Sequence, residues 1–170
     1  MQKFVFKPYS PIFPELFLKE KRRIEGHLQT ALAIEHVGST AVEYLGGKGI
    51  IDIVIACKQE EMSILSKQLQ DLGYEFRETF STADRLYFIT YLPDPEEEQR
   101  RYHVHLTYLE SNDYKGLLEF RNYLRANPLM AQEYAEIKKN AALTANQDGK
   151  KYRELKDPMF KKVQSLLEKP

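Results

Sequence analysis

Apolar positions change period twice along the chain. After a proline-bearing start between Pro8 and Pro14, FPELFLKEKRRIEGHL sets Leu16, Ile24 and Leu28 at near-helical spacing among charges, which predicts an amphipathic first helix that includes His27 on its surface. ALAIEHV then reads as a short strand. Gly38-Ser39-Thr40 interrupts the pattern, AVEYL has the length for about two turns of helix, and GIIDIVIAC is a β-branched run suited to a buried strand. Met62, Leu65, Leu69 and Leu72 predict a second helix closed by Gly73. RLYFITYL and RRYHVHLTYL flank the acidic, proline-bearing stretch from Pro93 to Glu98, which predicts an antiparallel hairpin.

From Asn112 the period becomes helical. Leu117, Phe120 and Leu124 mark one helix, Tyr134, Ile137 and Ala141 the next, and Tyr152, Leu155, Met159, Val163 and Leu166 the last. Pro128 fits a first-turn position, and Asn146-Gln147-Asp148-Gly149 a turn. The expected architecture is α/β (α+β): a mixed sheet of four to five strands, packed helices and a C-terminal three-helix segment, all in one domain over residues 1–170.

Composition sharpens this picture. With 170 residues, 42% of them hydrophobic, the chain is long enough for a core without disulfide or metal staples. Its 25 basic and 25 acidic residues balance, which argues against bulk binding of nucleic acid or an anionic membrane. The balance is uneven, however. Residues 1–114 hold 13 Lys and Arg against 18 Asp and Glu, whereas residues 115–170 hold 12 against 7. A polyanion would be met locally. Cys57 is the sole cysteine, so no intrachain disulfide forms, and its apolar surroundings favour a buried thiol. No uninterrupted apolar run approaches ~18 residues and the start lacks a signal-peptide core. The expectation is a cytoplasmic protein without a membrane span.

The most informative segment is His36-Val37-Gly38-Ser39-Thr40-Ala41-Val42, followed by Lys48 and then Ile50-Ile51-Asp52-Ile53-Val54. A glycine-serine pair between strand and helix brings backbone, hydroxyl and helix N–H groups to a phosphate. Asp52 on the next strand could hold a Mg²⁺ bridging phosphate oxygens. The competing account is that Ser39 or Thr40 merely caps a helix, although an unpaired carboxylate in an apolar strand is costly and calls for a partner. Strand alternation sets Arg101, His103 and His105 on one face and Tyr102, Val104 and Leu106 on the other. Two imidazoles about 6–7 Å apart suit a shared metal or a phosphate, or are simply a half-solvated strand face. Arg121 and Arg125, four apart on a helix, suit bidentate phosphate recognition, with Lys138 joining from the next helix; the bland alternative is a solvated face. Lys48 has the reach for a phosphate or for a surface salt bridge. No GxxxxGK[ST] segment occurs, which excludes a P-loop kinase.

The HVGSTAV segment with its following Lys and IID is similar to the signature of the GrpB-like family. His103-Val104-His105 resembles that family's His-x-His strand, and Phe120-Arg121-Asn122-Tyr123-Leu124-Arg125-Ala126-Asn127-Pro128 resembles its FRDYLRxxP helix. Tyr134 with Lys138, and Tyr152 with Lys156 and Phe160, extend the likeness. It implies a nucleotidyltransferase-like fold, sometimes found fused to dephospho-coenzyme A kinase, and supplies no substrate. Glu43-Tyr44 and Gly49 stand where the family usually has Pro-Gly and Pro. Ile50 and Val54 flank Asp52 where an active nucleotidyltransferase places a second acid, so this strand alone builds no two-metal cage.

Two functions follow. In one, Gly38, Ser39 and Thr40 cradle the phosphates of a nucleotide or related small phosphate ester, Asp52 with His103 and His105 provides catalysis or metal ligation with Mg²⁺, and Lys48, Arg121 and Arg125 neutralise charge. In the other, the same turn belongs to a non-catalytic nucleotide- or coenzyme-binding module.

Overall fold

The computed structural model describes residues 5–169, so Met1 to Phe4 of the proline-bearing start and Pro170 lie outside it. The first helix, α1 (Ile12–Glu25), buries Phe13, Leu16, Phe17, Glu20 and Ile24, a stripe with helical spacing. The chain turns at Gly26, so His27 and Leu28 follow the helix rather than ending it. Strands β1 (Ala33–Val37) and β2 (Ile51–Cys57) follow. Helix α2 (Met62–Asp71) closes as its apolar pattern and Gly73 predict: Gly73 has φ 100°, its N–H bonds to the Gln70 carbonyl, and the Tyr74 N–H bonds to that of Leu69.

A two-residue strand, β3 (Glu75–Phe76), was not legible in the apolar pattern; its two residues are too few to alternate. The expected hairpin forms from β4 (Leu86–Pro93) and β5 (Gln99–Tyr108). All five strands make one mixed sheet in the order β1-β2-β5-β4-β3. Every neighbour pairs antiparallel except β2 and β5, which are parallel. The parallel register decides the site, because it sets Asp52 directly beside His103 and Val54 beside His105.

One sheet face, with Ile53, Ile55, Val104, Leu106 and Phe88, packs against the apolar stripes of α1 and α2. Glu20 is buried with them, and is matched there by Tyr74 Oη at 2.6 Å and by both Arg23 guanidinium contacts at 2.7 and 2.9 Å. Over the opposite face come α3 (Asn112–Ala126), α4 (Pro128–Ala145) and α5 (Gly149–Leu167). Ser111 caps α3 by accepting from Tyr114 N–H; Thr107 donates its hydroxyl proton to the Asp84 carbonyl and so accepts from the Ser111 hydroxyl at 2.7 Å, tying the helix to the end of β5. Asp148 caps α5 in the same manner. A second apolar cluster joins these helices through Leu124, Ala131, Tyr134, Met159 and Val163, and receives Val42 and Leu45 from the loop after β1.

That loop corrects one expectation. AVEYL forms no helix; only a single 3-10 turn over Ser39–Ala41 follows Gly38, and Val42 is already extended. Val42 and Leu45 are buried as separate anchors in the helical cluster, and tertiary burial outweighs the short segment's weak helix tendency. The turn therefore presents no α-helix N-terminus.

Candidate functional site

Asp52 is the centre of the polar sheet face. His103 Nδ1 lies 3.1 Å and His105 Nε2 3.5 Å from the same carboxylate oxygen, Oδ1. Burial alone would raise the Asp52 pKa, but the hydrogen bonds and positive charge of His103 and His105 outweigh it and hold the carboxyl well below its usual range. Tyr87, opposite His105 in the register, packs edge-on against both imidazoles and sets its hydroxyl 2.7 Å from His103 Nδ1. Gly38 completes the arrangement from β1's end. Its φ is 74°, and a Cβ there would sit 2.6 Å from Asp52 Oδ2. The glycine expected to let a phosphate approach the backbone thus lets Asp52 approach it.

A cavity of about 680 Å³ lies over this face, lined by Gly38, Ser39, Lys48, Asp52 and His103 on the sheet side and by side chains of α3, α4 and α5. Three lysines enter it. Lys138 of α4 is buried, its Nζ 3.4 Å from the Gly46 carbonyl and 4.7 Å from the centre of the Tyr134 ring. Its Nζ also stands 3.4 Å from where a Gly47 Cβ would be, and Ser39 Oγ stands 2.7 Å from the same point, so the ammonium and the hydroxyl share one corner. Lys48 and Lys156 face the same Tyr152 ring at 5.1 and 5.8 Å.

Burial, reinforced by the charges of Lys156 and Lys48 and opposed by Asp52, pushes the Lys138 pKa down to about 7. Burial, with Lys156, Arg101 and Arg153, brings Lys48 down to about 8. Lys156 is lowered too, first by its own burial. These groups repel one another across the cavity they line.

Other expected residues lie elsewhere. The Thr40 hydroxyl faces inward and donates to the Ile50 carbonyl at 2.9 Å, so it accepts from His36 Nε2, also at 2.9 Å. His36 stacks on Phe17 at 4.8 Å, and burial pushes its pKa down to about 4. Thr40 therefore braces the turn and offers no hydroxyl to the cavity. His105 is buried behind Asp52 and does not line the cavity wall.

Arg121 and Arg125 do not meet Asp52's cavity; they line a separate one of about 550 Å³ on the outer side of β1. Arg121 bonds Glu35 Oε2 at 2.6 Å and the His36 carbonyl at 3.0 Å, and Arg125 Nε bonds the Ala41 carbonyl at 2.8 Å. Their spacing on α3 serves to clamp that helix to β1 and its following loop. Lys138, which sequence grouped with them, belongs to the other cavity. Reasoning from sequence missed Lys156 and Tyr87 as site residues. The excess of basic residues after position 114 was the signal for the first, and the β4–β5 register alone reveals the second.

Tyr44, in the loop between these cavities, has φ 67° and is 55% exposed. Left-handed backbone costs a side-chain-bearing residue roughly 1 kcal/mol. Tyr44→Gly is therefore expected to stabilise the protein by about 0.5–1 kcal/mol in urea titration.

Mg²⁺ takes oxygen ligands in a near-octahedral array. Here one carboxylate stands with two imidazoles that already bond one of its oxygens, and Ile50 and Val54 supply nothing further. Among the described residues no three His, Cys, Asp or Glu side chains are grouped to hold a metal ion. This donor set does not fit a Mg²⁺ cage.

A glycine-serine turn after one strand, an acid on the next and helices over the polar face of a mixed sheet make a nucleotidyltransferase-like fold. The structure is similar to a cytoplasmic RNA terminal U-transferase, with TM-score 0.51 and 12% identity over 77% of this chain and 40% of that one, a likeness of fold alone. The chain belongs to the GrpB protein family, which matches residues 3–165. It is also similar to the conserved protein GrpB of Enterococcus faecalis, with TM-score 0.80 and 31% identity over 96% of both chains. A UPF0157 protein of Pseudomonas aeruginosa is 35% identical over 92% of this chain and 64% of its own length. A UPF0157 protein of Bacillus subtilis is 32% identical over 90% and 44%. The chain thus spans about half to two thirds of those two relatives. A dephospho-CoA kinase of Mycobacterium leprae is 30% identical over 84% of this chain and 42% of its own length. Among the described residues, no helix is long and apolar enough to cross a membrane.

Proposed function

We propose that the Asp52 cavity binds the phosphate groups of a nucleotide or related phosphate ester. The observation that carries this reading is the convergence of Lys48, Lys138 and Lys156 beside the Ser39 turn, with Lys138 buried against a single carbonyl. Asp52 offsets only part of the burial and mutual repulsion of these cations, so an entering anion is favoured and meets preorganised donors. The likeness to a dephospho-CoA kinase places coenzyme A precursors among the esters to test.

Calorimetric titration with ATP, dephospho-coenzyme A and pyrophosphate tests the proposal, and absence of binding by all three at millimolar concentration would reject it. An entering anion raises the lysine pKa values, so binding takes up protons where Lys138 and Lys48 are partly neutral, around pH 7–8. Affinity is expected to fall as pH rises from 7 to 9. Since lysines meet the phosphates in this reading, affinity should depend little on Mg²⁺.

A non-catalytic binding module is the second reading, favoured by the single carboxylate at the sheet's centre. Asp52→Asn separates the two. A transferase loses turnover while keeping ligand affinity; a binder has no turnover to lose in a radiolabelled transfer assay. In either case Asp52→Asn should cost about 1–3 kcal/mol of stability, read by urea titration, because His103 and His105 lose an anionic partner.

A further inference from the structure

Beyond the lysine corner the cavity changes character in a regular way. The face of α5 that lines it carries Tyr152, Lys156, Phe160, Gln164 and Leu167, spaced four, four, four and three residues apart. The wall therefore runs from cationic to aromatic to polar and apolar along about 20 Å of helix. Phe160 is 37% exposed, and its ring sits 5.1 Å from that of Phe120 of α3 at a 40° tilt. Phe120 in turn meets Tyr134 edge-on at 6.2 Å, and Tyr134 is the ring beneath the Lys138 ammonium. A chain of aromatic contacts thus leads from the buried lysine to an exposed ring within one cavity.

An exposed phenylalanine on a cavity wall is left without apolar cover on one side. Resting on the phosphate reading above, we infer that the ligand is a nucleoside phosphate whose base stacks on the open face of Phe160 while its phosphates meet Lys156, Lys138 and Lys48. Two geometric facts select this class. Lys156 and Phe160 are one helical turn apart, about 6 Å along the axis, which suits a phosphate and a base separated by one ribose. The partner offered to the ligand is a tilted ring pair, which a flat base covers well and a flexible thioalkyl arm does not. Gln164, one turn beyond Phe160, lines the same cavity.

The experiment is calorimetric titration of the full chain with ATP, CTP, inorganic tripolyphosphate and 4′-phosphopantetheine, using wild type, Phe160→Ala, Phe160→Leu and Lys138→Met. Phe160 packs at the surface of α5, and circular dichroism checks that its variants stay folded. The expected result is that both nucleotides bind wild type at least tenfold more tightly than tripolyphosphate. Phe160→Ala and Phe160→Leu should both reduce nucleotide affinity to the tripolyphosphate level without changing tripolyphosphate itself, and Lys138→Met should weaken every ligand. Equal binding of ATP and tripolyphosphate by wild type overturns the base subsite and leaves the lysine reading standing. Nucleotide affinity retained in Phe160→Leu overturns ring stacking. Phosphopantetheine binding more tightly than either nucleotide overturns the ligand class. Absence of binding by any of the four ligands overturns this inference together with the phosphate reading on which it rests.

Discussion

Lys138→Met is expected to make the protein more stable and less able to bind phosphate. The ammonium is buried, meets one carbonyl at 3.4 Å and an aromatic face at 4.7 Å, and shares its cavity with two other lysines. A buried charge whose burial Asp52 only partly offsets opposes folding, and a methionine of similar length fills the same space without a charge. With its folded pKa at about 7 against an ordinary 10.5, Lys138 binds more protons unfolded than folded across that interval. Wild-type stability should therefore rise as pH increases from about 7 towards 10.5, and the lysine should cost on the order of a few kcal/mol at neutral pH. Urea titrations at pH 7 and 9.5 measure both effects. The variant should exceed wild type by more at pH 7 than at 9.5, and its affinity for ATP should fall at least tenfold. A variant that is less stable than wild type at pH 7 would show that the ammonium has a favourable partner and would remove the argument for a phosphate there.

Arg100→Ala is expected to be the most destabilising single change, by about 3–5 kcal/mol. The Arg100 and Asp94 side chains are 2% and 0% exposed, and the guanidinium bonds both carboxylate oxygens, at 2.6 and 3.0 Å. It also donates to the Gly49 carbonyl at 2.8 Å and lies over the Phe13 ring at 5.1 Å. One side chain thus joins the β4–β5 loop, the entrance of β2 and α1. Removing it leaves the buried Asp94 carboxylate without its cation, held by the N–H groups of Glu96 and Glu97. Burial pulls the Asp94 pKa up, but Arg100 and the N–H groups of Glu96 and Glu97 outweigh that pull and lower it. The carboxylate's contribution is therefore present above its ordinary pKa and is lost as pH falls through the lower folded value. Guanidinium or urea titration at pH 7 measures the loss. Arg100→Met combined with Asp94→Asn should recover part of it, because the charge left without its cation is then gone; no recovery would mean that the loss comes from packing against Phe13 and Gly49.

Local order set most of the elements in advance. Period-two and period-3.6 apolar patterns located α1, β1, β2, α2, the β4–β5 hairpin and the three C-terminal helices, because each element must bury one face and the spacing of apolar residues records which. Strand parity likewise set His103 and His105 on one face, since successive side chains of a strand point to opposite sides. The family likeness carried by HVGSTAV, the His-x-His strand and the α3 segment also lay in the sequence, as did the fold it implied.

Sequence alone did not decide what those residues touch. The parallel pairing of β2 with β5 is what makes His103 the neighbour of Asp52, and no local pattern encodes the partner of a strand. Burial of Val42 and Leu45 in the helical cluster overrode the helix expected at AVEYL, as tertiary contact overrides weak local preference. The i,i+4 spacing of Arg121 and Arg125 does give them a shared face, but that face is turned to Glu35 and the Ala41 carbonyl, away from Asp52. Lys48, Lys138 and Lys156 come from three separate segments. Their meeting depends on how α4 and α5 cross the sheet, so the charge concentrated in this cavity is a property of the tertiary fold; the sequence singles out Lys48 and Lys138 as phosphate contacts, and Lys156 only as part of a basic C-terminal third.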